Sequence, residues 1–177
     1  MARPVRSAQA HLWRDSSDQY GPVGSRGREI LGFMDVYADT SFLFSYYLPD
    51  ANTPNARDWL LAHSDPLPLT PFHRVELRNG ISLAVFRRRI TEAQAAAAWS
   101  GVEQDWQEGR LIPVTVNWSK VFSDAESIAT TESPLLGTRS LDIIHVAIAK
   151  QVGAVDFLSF DVRQTALAKK AGLIVKP

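Results

Sequence analysis

From Met34 onward the sequence switches repeatedly between two periods. Short apolar runs, "MDVYAD" (34–39), "PLPLTP" (66–71), "LIPVTV" (111–116), "DFLSFD" (156–161) and "LIVKP" (173–177), alternate with longer stretches whose apolar residues recur every three to four positions. The short runs suit buried strands and the long stretches suit amphipathic helices. A chain that alternates in this way buries its apolar faces by setting the strands side by side and covering both sides with helices. The expected fold class is therefore α/β: a three-layer α/β/α sandwich with a central, mostly parallel sheet.

Local signals divide the helical stretches. Thr53 opens a helix with Pro54 at its first position, and residues 72–89 and the Ala-rich 91–109, closed by Gly109, follow as two more. Residues 117–133 read as helix until Pro134 and Gly137 break the chain. Ser140 caps a helix that Gly153 closes, and residues 162–172 form the last. At 177 residues the chain is sized for one domain, assigned to residues 34–177. Residues 1–33 carry five Arg, scattered Ser and Gly and no sustained apolar period, and are expected to be a poorly ordered N-terminal extension. Because Met34 begins the first strand, an upstream start codon is an equal reading of that segment.

Composition excludes several classes. Lys plus Arg equals Asp plus Glu at 19 each, so the molecule offers a polyanion no overall field and any nucleic-acid contact must come from a local patch. The absence of cysteine excludes disulfides and thiolate metal sites. No run approaches the roughly 18 apolar residues of a membrane span, and the N-terminus lacks the apolar core of a signal peptide, so a cytoplasmic protein without a membrane partner is expected. No Gly-rich phosphate loop supports ATP- or NAD-driven chemistry.

Four acids stand out by position. Asp39 ends the first strand and Asp161 the fourth, and the carboxyl ends of strands are where open parallel sheets gather functional groups. Glu76 and Asp142 lie on helices in apolar surroundings; for Asp142, in the first turn, favourable interaction with the helix dipole is explanation enough on its own. Carboxylates that cluster repel one another unless a cation joins them. Mg²⁺ or Mn²⁺, hard ions that prefer oxygen, are the natural occupants, and such ions serve phosphodiester hydrolysis.

The segments "YADTSFLFSYYLPD", "VELRNGI", "RSLDIIHVAIAKQVGA" and "FLSFDVRQTALAKKAGLIV" resemble the four acidic segments of PIN domains, in particular VapC-type toxins of bacterial toxin–antitoxin pairs. The resemblance spans about Met34 to Val175. It implies that Asp39, Glu76, Asp142 and Asp161 are the catalytic and metal-holding acids of a Mg²⁺-dependent endoribonuclease, with Mn²⁺ able to substitute. It matches Ser41 to the small hydroxyl residue two positions after the first acid, and makes Arg139 a candidate substrate contact. Further implications are an RNA substrate, a homodimer and a small antitoxin partner.

Other signals rank lower. His145, three residues after Asp142, is expected to be packed or hydrogen-bonded rather than a ligand, since Mg²⁺ sites favour oxygen. Arg74, Arg78 and the run Arg87, Arg88 and Arg89 offer phosphate contacts near Glu76, with Arg78 kept as a candidate, although a solvated helix end explains the run as well. Phe44, Tyr46 and Tyr47 are expected to fill a core or a dimer seam. Two rival functions are a phosphatase-like enzyme with Asp39 as nucleophile and a PIN-like module that binds RNA or protein without catalysis. Ser41 stands where the phosphatase would place a second acid, and the presence of all four acids argues against lost catalysis.

Overall fold

The computed structural model describes residues 34–177; the expected extension, residues 1–33, lies outside them. Twelve elements follow in order: β1 (Val36–Ala38), α1 (Thr40–Tyr47), α2 (Thr53–Ala62), β2 (Leu67–Leu69), α3 (Pro71–Phe86), α4 (Glu92–Gln107), β3 (Leu111–Pro113), α5 (Trp118–Leu136), α6 (Ser140–Gln151), β4 (Asp156–Leu158), α7 (Val162–Lys170) and β5 (Ile174–Lys176).

All strand pairings are parallel. β4 pairs with β1 on one side and β5 on the other, β2 pairs with β3, and β1 lies beside β2. Hydrogen bonding thus forms two parallel ladders, of order 1-4-5 and 2-3, and packing of β2 beside β1 sets them next to each other. Side chains alternate between the faces, as a strand period of two requires. Tyr37 and Phe157 join the cluster formed with α5, α6 and α7, while Val36, Ala38 and Leu158 join the one formed with α1, α2, α3 and α4. Both faces are covered, which gives the three-layer sandwich expected from the alternating pattern. No helix among the described residues is long and apolar enough to cross a membrane.

Several boundaries differ from the sequence reading. The aromatic stretch after Asp39 is a helix, α1, and its rings pack rather than protrude: a Cβ on Gly80 of α3 would stand 3.2 Å from Phe44, and one on Gly101 of α4 would stand 3.3 Å from Tyr47. These two glycines let α1 seat its aromatic side against α3 and α4. Helix α5 runs through Pro134 to Leu136 and ends at Gly137, whose positive φ of 63° suits glycine. Pro134 lacks the N–H that would bond the Thr130 carbonyl, so the helix gives up one backbone bond shortly before it ends. The cap of α6 is Arg139 rather than Ser140, because the Asp142 side chain accepts the Arg139 backbone N–H.

Candidate active site

The strand order reverses between β1 and β4, and in open parallel sheets that switch point opens a crevice at the carboxyl ends of the strands. Asp39 follows β1 and Asp161 follows β4, on either side of it. Each is also the N-cap of the next helix: Asp39 Oδ1 accepts the N–H of Phe42 at 2.9 Å, and Asp161 Oδ1 accepts those of Arg163 and Gln164 at 2.8 and 3.2 Å. The strand-to-helix turn thus requires a carboxylate or similar acceptor locally, and the topology brings two such turns together.

Small hydroxyl groups tie the turns to each other. Ser41 donates to Asp39 Oδ1 at 2.7 Å and accepts the Phe160 N–H at 2.9 Å; Ser159 donates to Asp39 Oδ2 at 2.5 Å and accepts the Asp161 N–H at 3.0 Å. Asp39 is fully buried. Burial pushes its carboxyl above the ordinary carboxylate range, while the hydrogen bonds from Ser159, Phe42 and Ser41 pull it back.

The helix acids approach from the two covering layers. Glu76 of α3 accepts the Thr40 hydroxyl at 2.7 Å on Oε2, where it also meets His145 Nε2 at 2.5 Å. Asp142, buried in the first turn of α6, lies 3.4 Å from Arg139 Nε and 3.4 Å from the Gln164 amide nitrogen. Arg139 also reaches Asp161 Oδ2 at 3.0 Å, so one guanidinium bridges two of the acids. A shallow opening of about 330 Å³ is lined by Thr40, Ser41, Phe160 and Asp161 among others. A larger cavity of about 510 Å³, bordered by Leu43, Tyr46, Arg57 and Arg110, includes none of the four acids.

The oxygen donors are of the kind Mg²⁺ or Mn²⁺ takes. Gln164 adds a buried Oε1 without a hydrogen-bond partner, beside Asp142. Among the described residues, however, no three acidic or histidine groups converge closely enough to hold one ion. The donor set fits a divalent cation in chemistry, and the positive charge between Asp142 and Asp161 is that of Arg139.

The sequence-derived residues divide accordingly. Asp39, Ser41 and Asp161 share one network around the switch point, and Arg139 joins Asp142 to it. Glu76 reaches the same region through Thr40. Arg78 does not: two positions beyond Glu76, about 200° around the helix, its guanidinium lies 3.5 Å from the ring centroid of Trp99 on α4. Thr40, Ser159, Gln164 and Tyr37 went unmarked in the sequence. Ser159, two residues before an acid at a strand end, mirrors Ser41 and was the most readable of them.

No family model matches the sequence, and no curated protein matches it. Solved structures do. VapC20 from Mycobacterium tuberculosis, described as a sarcin-ricin loop cleaving toxin, aligns over 80% of this chain and 99% of its own with a TM-score of 0.59 and 17% identity. The chain has a PIN fold. FitAcB from Neisseria gonorrhoeae aligns over 80% of this chain and 96% of its own with a TM-score of 0.57 and 20% identity. The PIN fold accounts for the sheet order and for the placement of Asp39 and Asp161 after neighbouring parallel strands.

Proposed function

We propose that this chain is a divalent-metal-dependent endoribonuclease that acts as the toxin of a toxin–antitoxin pair. Its cation is Mg²⁺, with Mn²⁺ able to substitute. The observation that carries this reading is the position of Asp39 and Asp161, with Arg139-linked Asp142 and Thr40-linked Glu76, around the switch point of a PIN fold. The fold neighbour described as a sarcin-ricin loop cleaving toxin supports RNA as the substrate. A small antitoxin, a homodimer and a cytoplasmic location complete the proposal.

Asp39, Glu76, Asp142 and Asp161 would hold the cation, which when bound activates water for attack on a phosphodiester and neutralises charge on the phosphate. The chain's own groups prepare for that. Ser41 and Ser159 orient Asp39, and Thr40 orients Glu76. Arg139, 60% exposed on its side chain, can leave the two acids and turn to a phosphate. The N-termini of α6 and α7 favour the same anion.

The test uses purified protein and a labelled single-stranded RNA with and without EDTA. Asp39→Asn and Asp142→Asn should each bring cleavage near background while the fold persists, and Asp161→Asn should be intermediate. Asp124→Asn and Asp156→Asn should stay within about 3-fold of wild type, the range of surface changes remote from a site. Cleavage that ignores EDTA or survives Asp39→Asn refutes the mechanism, and RNA binding without cleavage returns the binding-module reading. For the toxin role, expression alone should arrest bacterial growth, and co-expression of the adjacent small partner should restore it.

A further inference from the structure

His145 is fully buried on α6, about one helical turn after Asp142. Side chains from three other elements engage its two nitrogens, the Thr40 hydroxyl of α1 standing 3.2 Å from Nε2. Nδ1 lies 2.7 Å from the Tyr37 hydroxyl on β1, and Nε2 lies 2.5 Å from Glu76 Oε2 on α3. Residues 108 and 69 positions away in sequence therefore meet on one ring.

The available protons give this chain of hydrogen bonds a direction. An ionised carboxylate only accepts, a phenol has one proton to give, and the Thr40 hydroxyl already donates its own to Glu76. For a neutral ring, every group is satisfied when Tyr37 donates to Nδ1 and Nε2–H donates to Glu76. Packing alone does not call for this. His145 also stacks obliquely with Phe72 and His73 at centroid distances of 4.9 and 5.2 Å, contacts that an apolar ring would make without bringing buried polar atoms.

We propose that His145 is a positioning residue: Tyr37 holds its ring in the Nε2–H form, and the ring, with Thr40, fixes the Glu76 carboxylate by Oε2, leaving Oε1 for the cation or its water. Glu76 has three rotatable side-chain bonds, and its carboxylate is not buried, with the side chain 17% exposed. Two donors converging on one oxygen select a single orientation. This inference rests on the nuclease reading for the task of Glu76, but the hydrogen-bond relay stands on its own geometry.

Two measurements separate the relay from the nuclease reading. In metal-free wild-type protein near pH 7, nitrogen NMR should show a pyrrole-type Nε2 and a pyridine-type Nδ1 at His145; the opposite tautomer or a doubly protonated ring overturns the relay. Kinetics and Mn²⁺ calorimetry then compare two variants. His145→Asn places an amide near the Nδ1 position and stops short of Glu76, whereas His145→Gln places an N–H near the Nε2 position. The Asn variant should lose about 10–100-fold in kcat and in Mn²⁺ affinity, the usual cost of removing a group that orients a metal ligand. Its KM for RNA should stay within about 3-fold of wild type, because binding of the RNA itself is untouched. The Gln variant should recover most of the loss. Wild-type Mn²⁺ affinity and kcat in a folded Asn variant overturn the proposal. If neither variant folds, Tyr37→Phe decides: a Nδ1 resonance moved toward that of an unbonded pyridine-type nitrogen, with Nε2 still pyrrole-type, supports the relay, and an unchanged Nδ1 resonance overturns it. Wild-type protein that leaves RNA uncut removes the nuclease reading, while the NMR result still decides the relay.

Discussion

His73 occupies the third position of α3, where its Nδ1 accepts the Thr70 backbone N–H at 3.1 Å and its Nε2 donates to the Ala38 carbonyl at 3.0 Å. The ring completes a capping box with Thr70 and pins α3 to the end of β1, next to Asp39. Protonation would turn Nδ1 into a donor facing another donor. Burial, opposed by the Ala38 carbonyl, pushes the His73 pKa down to about 3 from an ordinary 6.5. Between those values the unfolded chain binds a proton that the folded chain does not, so this residue's contribution is complete above about pH 6.5 and is lost as pH falls toward 3. His73→Gln keeps an acceptor for the cap and removes the titration. The stability difference between wild type and this variant, from urea melts at several pH values, should rise with pH by up to about 1.4 kcal/mol per unit within the window and flatten above it. Parallel curves would show that His73 is not held neutral.

At the scale of elements, the junction of α6 and α7 carries the least expected feature. Arg139 spans from Asp142, in the first turn of α6, to Asp161, the N-cap of α7. Sequence spacing shows each acid at a helix start, and so both were legible. The bridge was not, because it depends on a side chain turning toward a helix 22 positions further on. For the same reason Ser140 was the natural cap on residue type, and Arg139 took the place through the reach of Asp142 back to its backbone. Helix α1 was missed differently: its eight residues are mostly aromatic or aliphatic, with no polar face to reveal a helical period. Arg139→Ala should leave Asp142 and Asp161 without the cation between them. The exposed guanidinium limits the loss to roughly 1 kcal/mol, or about 2–4 °C in metal-free thermal midpoint. Added Mn²⁺ should then raise the midpoint of the variant more than that of wild type, since the ion no longer displaces an arginine. Equal shifts in differential scanning fluorimetry would mean that Arg139 and the cation do not share a place.

Across the whole molecule, the alternating pattern identified the sandwich and its parallel strands because each period reports directly on one buried face. The same pattern predicts a domain boundary at Met34, and the first described residues are tied to the strands. The Met34 N–H donates to the Val152 carbonyl at 3.0 Å, and the Asp35 carbonyl accepts the N–H groups of Val155 and Asp156 at 2.9 and 2.8 Å. These bonds tie the start of β1 to the turn that enters β4. Among the described residues, the two large apolar clusters lie on opposite sides of the strands. A sheet whose faces are already covered has its apolar burial in place, and burial dominates the stability of a domain this size. A chain beginning at Met34 should therefore fold cooperatively, with a thermal midpoint within about 3 °C of the full chain, equivalent to less than about 1 kcal/mol. It should also keep metal-dependent cleavage of the same RNA. Calorimetry on both chains checks the first outcome and the labelled-RNA assay the second. A broad or sharply lowered transition in the shorter chain would show that residues 1–33 contribute to the core. An unchanged transition with lost cleavage would assign them to the substrate instead.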